Sequence, residues 1–175
     1  KMKPLILVVF FVFTFQLILG IYSQFPTTIT PDAAMHAEIV NIIREQGFIR
    51  TWEPYAPNDY SYPPLFHYLA TLLTPFLLSI DAVRVLGIII WLCFPLSLYV
   101  LVATYKKEAA LTAACLGAVA PPLATVFIYG EFPQLLAMLF LIWEWYFLRC
   151  ERYLLGAVFA GLIVLSHSFV PFAAI

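Results

Sequence analysis

The chain has 175 residues, 63% of them apolar and only 11% charged, with formal net charge −1 and mean hydropathy +0.95. Soluble domains average roughly half apolar and a quarter charged, so too few charges remain here to coat a water-exposed surface. The near-neutral balance also gives no basic footprint for nucleic acid.

Three cysteines, Cys93, Cys115 and Cys150, lie in or beside apolar runs without paired spacing. That excludes a disulfide framework and a cysteine-ligated zinc site. The composition is that of an integral membrane protein, so the useful count is of spans.

In chain order, residues 5–22 form the first apolar run, broken only by Thr14, Gln16 and Gly20, behind Lys1 and Lys3. The run is long for a signal-peptide core of about 7–15 residues, and Gly20-Ile21-Tyr22-Ser23-Gln24 fits a small-x-small cleavage site poorly. It reads as an uncleaved signal anchor with a cytoplasmic N-terminus. A long loop, 23–84, follows. In it Thr30 can cap a helix over 31–46 that begins with Pro31 and is closed by Gly47. Met35, Ile39, Ile42 and Ile43 fall on one face, which predicts a helix lying flat on the membrane.

Residues 48–62 read as irregular, with Pro54, Pro57 and Asn58-Asp59 as turn signals. Tyr62-Pro63-Pro64 is a stiff lead into a second apolar stretch, 64–80. Pro75 leaves only 65–74 of it unbroken, and about ten residues rise about 15 Å, half the hydrocarbon core. The remaining runs, 85–104, 109–128, 132–148 and 153–170, each approach the roughly 20 residues of a span. Pro95 and Pro121-Pro122 predict kinks within two of them.

Charge decides how 64–80 lies. If it crossed, only Lys1, Lys3 and Arg84 would be inside, three bases against six. If it rests on the outer surface, Lys1, Lys3, Lys106, Lys107, Arg149 and Arg152 are inside, and Arg44, Arg50 and Arg84 outside. The positive-inside rule favours the second arrangement. The expectation is therefore an all-α polytopic membrane protein. It has five spans, an external loop carrying surface helices at 31–46 and 64–80, and a sixth span opening at 171–175. On this reading the chain is the N-terminal part of a larger membrane protein.

Six of the ten acids fall in the outer loop. Asp32 and His36, four apart, share a helix face. Asp32 can serve as general base for an acceptor hydroxyl, as a ligand for a divalent cation such as Mg²⁺ or Mn²⁺, or simply as a complement to the helix dipole. His36 can bind a phosphate, steer that carboxylate, or face water. Glu131, in the short external turn Tyr129-Gly130-Glu131-Phe132-Pro133, can flank the same pocket as Asp32, or merely mark a solvated turn.

His167 closes the fifth span within Ser166-His167-Ser168, where a histidine either lines a polar cavity or bonds backbone. Arg84 can hold a lipid phosphate or pair with Asp81, and His67 can pack against Tyr62. Glu144, among Trp143, Trp145 and Tyr146, reads as a snorkelling carboxylate in an inner aromatic belt.

The order of these features resembles the GT-C superfamily, membrane glycosyltransferases that take sugars from polyprenyl-phosphate carriers. Oligosaccharyltransferase catalytic subunits, protein O-mannosyltransferases and the aminoarabinose transferases of lipid A belong to it. Pro31-Asp32-Ala33-Ala34-Met35-His36 is similar to the family's first-loop motif. Tyr62-Pro63-Pro64-Leu65-Phe66-His67-Tyr68 is similar to its aromatic/proline lead into a surface helix. Asp81-Ala82-Val83-Arg84-Val85-Leu86-Gly87 resembles the arginine-bearing start of its second span. Tyr129-Gly130-Glu131-Phe132-Pro133 resembles the second-loop acid, and Ser166-His167 a pair found in some prokaryotic members.

The resemblance implies inverting transfer of a sugar from a polyprenyl-phosphate carrier to a glycan, lipid or protein acceptor, on the external face of a prokaryotic cell membrane. It makes Asp32 and Glu131 the catalytic or metal-linked acids, and His36, Arg84, His167, Tyr62 and His67 the substrate-binding residues. The first loop carries one acid where some branches carry two, and this piece is expected to be inactive alone. Two other readings stand beside it: a transporter or channel fragment, which would place polar residues near the midplane of its spans, and a non-catalytic assembly subunit.

Overall fold

The computed structural model describes residues 15–16, 31–47 and 63–167. The expected first span, apart from Phe15 and Gln16, lies outside the described residues, as do Thr30, residues 48–62 with Tyr62, and the stretch 168–175. What is described is helical: α1 (Pro31–Gln46), α2 (Leu65–Thr71), α3 (Ser79–Ala103), α4 (Lys107–Val119), α5 (Pro121–Tyr129), α6 (Phe132–Arg149) and α7 (Tyr153–Ser166), with no strand among the described residues. Two stretches are long and apolar enough to cross a membrane: α3, with 25 residues, and Lys107–Tyr129, with 23.

Ring and glycine contacts fix how these helices zigzag. The α4–α5 leg runs antiparallel to α3. Leu98 fills the space over Gly117, where any Cβ would collide with it. Further along, Trp91 stacks on Phe127 with centroids 4.9 Å apart. α6 then returns beside α3, with the Phe132 ring lying over Gly87 so closely that a Cβ there would meet it at 2.6 Å. α7 folds back on α6: Phe159 sits against Phe140 and Phe147 at 5.7 and 5.2 Å, and Ile163 packs with Ala137.

The start of α3, the α5–α6 turn and the end of α7 therefore share one end of the bundle. The turns after α3 and α6, with Lys106, Lys107, Arg149 and Arg152, share the other. Val83, Trp91, Phe94, Phe127, Phe132 and Leu135 form the core between them, closed by Ala33, Ala37 and Val40 of α1 and Phe66 of α2. Outside that core, large apolar side chains stand in the open, Leu154 at 81% and Leu116 at 64% exposure among them.

The kink expected at Pro121-Pro122 in the run 109–128 is a full break, because α4 ends at Val119, Ala120 is extended (φ −61°, ψ 117°) and α5 starts anew at Pro121. Pro122 has no N–H to give the Ala118 carbonyl, and the Gln16 side-chain Nε2 donates to that carbonyl instead, at 3.4 Å. A polar residue in the first apolar run thus serves a break made by prolines in a later one.

Within the stretch 64–80, α2 covers only Leu65–Thr71, and Ser79 and Ile80 already belong to α3. Thr71 and Thr74 turn their hydroxyls onto the carbonyls of His67 and Thr71, and the chain passes through tight turns to Leu77. α3 begins at Ser79 rather than at 85, tied back to α1 by the Ser79 hydroxyl donating to Asn41 Oδ1 at 2.5 Å.

The inward face of α1 also differs from the expected one. Ala33, His36, Ala37, Ile39, Val40 and Ile43 are buried, whereas Met35 and Ile42 are only half-buried. The helix packs against α2, α3 and α5. Small residues at i, i+4 and i+7 (Ala33, Ala37, Val40) let it approach closely, a signal hidden when only the large aliphatics are followed.

Candidate functional site

The sequence-predicted residues that the structure describes gather at one end of the bundle. Asp32 lies half-buried in the first turn of α1, where a carboxylate complements the helix dipole. One turn on, His36 is buried, and its Nδ1 is 3.0 Å from Nε2 of the equally buried His67 on α2. Phe66 lies against both rings, with centroids 5.7 Å from each, and stacks at 5.9 Å on Phe132, the residue after Glu131. A continuous line of rings, His36–Phe66–Phe132, therefore joins the helix bearing Asp32 to the turn bearing Glu131.

That turn is built by Gly130, whose φ of 86° suits glycine. Its N–H donates to the Phe127 carbonyl at 3.2 Å, and the Glu131 N–H to the Val126 carbonyl at 3.0 Å, closing α5. Glu131 then precedes α6 at its N-cap position, yet its carboxylate makes no cap hydrogen bond, and the side chain is half-buried. Arg84 is buried in the second turn of α3, with Nη1 3.7 Å from Asp81 Oδ1. It lies one turn before Gly87, which underlies Phe132, and so belongs to the same end as Glu131. His167 follows α7, half-buried, its N–H donating to the Ile163 carbonyl at 3.0 Å.

The three histidines of the chain come from three separate elements and converge here. Burial holds His36 far below the usual imidazole range, at about 3, and a charge on His167 acts in the same direction. Burial, and then the neighbouring His36, lower His67 likewise. Both rings are neutral near pH 7, so across the 3.0 Å contact one nitrogen donates and the other accepts. A neutral imidazole offers a phosphate no net charge; of the named candidates, Arg84 retains a permanent one.

A divalent cation asks for several oxygen or nitrogen donors. Among the described residues no three His, Cys, Asp or Glu side chains come together to hold one. Asp32 and Glu131 alone do not supply that donor set.

The His36–His67 bond and the Phe66–Phe132 stack are invisible in the sequence, where nothing pairs positions so far apart. The buried stripe Ala33–Ala37–Val40 was the one available signal that this face of α1, His36 included, turns inward. Comparison with protein-family models, with curated proteins and with solved structures gives no match to this chain.

Proposed function

We propose that the chain belongs to a polytopic membrane glycosyltransferase of the GT-C type, which moves a sugar from a polyprenyl-phosphate carrier to an acceptor on the external face. One observation carries the reading. Residues from well-separated stretches, Asp32, Arg84, Glu131 and His167, are brought to a single end of an apolar helical bundle, and the chain's basic turns lie at the other.

Asp32 is the general base, orienting or deprotonating the acceptor hydroxyl as it attacks the anomeric carbon from the face opposite the leaving phosphate. Inversion follows from that single displacement. The leaving group is already stable, so the chain's task is to offset charge developing on the phosphate, which falls to the Arg84 guanidinium. His36 and His67, being neutral, act by hydrogen bonding and by holding α1 against α2. Glu131 supports the acceptor from the opposite wall.

The transporter reading expects polar groups at mid-span. The candidate groups instead collect at an end, which favours the enzyme.

The test is turnover of a radiolabelled polyprenyl-phosphate sugar by the full-length protein in membranes. Asp32→Asn is expected to lower turnover by about 10²-fold or more while expression and membrane insertion hold. Turnover at the unsubstituted rate would refute the catalytic assignment.

A further inference from the structure

The end of the bundle away from the candidate site has a chemistry of its own. Tyr105 and Lys106 occupy the turn between α3 and α4, Lys107 opens α4, and Arg149 and Arg152 flank the turn between α6 and α7. The Arg149 guanidinium carbon lies 5.1 Å from the centroid of the Tyr105 ring. That cation–π contact joins two turns distant in sequence into one surface.

Lys106, Lys107, Arg149 and Arg152 are all exposed, as are the acids Glu108 and Glu151. Four positive charges against two negative leave the patch net +2. The placement of the bases adds to its field. Lys106 and Arg152 stand at the N-caps of α4 and α7, positions that favour an oxygen-bearing side chain, and neither helix start has a side-chain cap bond. Exposed Trp145, Leu148, Tyr153 and Leu154 lie next to the patch and carry the apolar surface up to it. Such a boundary of aromatic, aliphatic and basic side chains matches the depth of a lipid headgroup.

Resting on the membrane reading above, we propose that this end is a binding surface for anionic phospholipid headgroups, whose phosphates are held between the two basic turns. The charge complements a negative leaflet, and the adjoining apolar side chains accommodate the acyl chains of the same lipid.

The test uses the full chain in nanodiscs of phosphatidylcholine with phosphatidylglycerol as the minor component, and reads the lipids retained after release by native mass spectrometry. Phosphatidylglycerol is expected to be retained at least about five-fold above its bulk fraction. Retention should fall to the bulk fraction in Lys106→Gln/Lys107→Gln/Arg149→Gln/Arg152→Gln and rise in Glu108→Gln/Glu151→Gln. Arg44→Gln, on α1, should leave it unchanged. The acid-removing variant keeps the test decisive if the four-fold variant does not fold.

Retention at the bulk fraction by the unsubstituted chain overturns the proposal, as does enrichment that ignores both sets of substitutions. Insertion without enrichment defeats the headgroup surface alone. Failure to enter any bilayer defeats the membrane reading with it.

Discussion

Two turns of the same backbone design flank α6 in opposite surroundings. At one, Gly130 (φ 86°) closes α5 through bonds to Phe127 and Val126. At the other, Glu151 (φ 58°) closes α6, its N–H donating to the Leu148 carbonyl at 3.1 Å and that of Arg152 to Phe147 at 2.8 Å. Around the first, aromatic rings close over polar groups, and His36, His67 and Arg84 are nearly inaccessible. Around the second, acids and bases stand in the open. Buried polar groups must find partners within the protein, whereas exposed ones are satisfied by water or by lipid phosphate. The first end should therefore respond to protonation and to volume, and the second to backbone strain.

The largest expected effect is that of pH on the histidine pair. His36 ionises near 6.5 when unfolded and near 3 in the fold. Between those values the unfolded chain binds more protons, so stability is fully present above about pH 6.5 and falls as pH drops through that window. His67, lowered in the same sense, adds to the slope. Urea unfolding in detergent should show the loss, several kcal/mol across the window, and His36→Phe should reduce it to the part that His67 contributes. A flat profile in the unsubstituted chain would break the contrast between the ends.

Next comes volume. The Phe132 ring over Gly87 is wedged between Phe66 and Phe127 and cannot swing away. Gly87→Ala is expected to destabilise by about 2 kcal/mol despite alanine's better helix propensity, read as a lower unfolding midpoint; an unchanged midpoint would mean that α3 and α6 do not approach so closely. The smallest effect belongs to the exposed turn. Among the described residues Glu151 is the one non-glycine with positive φ, so Glu151→Gly should raise stability by about 1 kcal/mol in the same assay.

The helical class is legible in the sequence because long apolar runs separated by short charged turns leave few alternatives. Pro31 and Gly47 mark the limits of α1 for simple backbone reasons. The second apolar stretch is less legible: Pro75 signals an ending, but the threonine hydroxyls that turn the chain at Thr71 compete with the helix in a way that propensity does not rank.

Pro121-Pro122 announces a break, and only the fold shows Gln16 meeting the carbonyl the prolines strand. At the site, Asp32, His36 and Glu131 stand out by type and position. The contacts that unite them depend on α1 turning inward, and the larger side chains Met35 and Ile42 disguise that orientation. His67 illustrates the limit: its neighbours in sequence do not foretell a bond to His36, which is set by how α1 and α2 pack.

The proposed function requires α6 to cross the bilayer, so that Glu131 and Cys150 face opposite compartments. A membrane-impermeant maleimide tests this in intact cells. Cys150, exposed and native, reports one end once Cys93 and Cys115 are replaced by Ala, and Glu131→Cys in a cysteine-free chain reports the other. Residue 131 is expected to be labelled from outside, and residue 150 only after the membrane is opened. Labelling of both from the same side would contradict it.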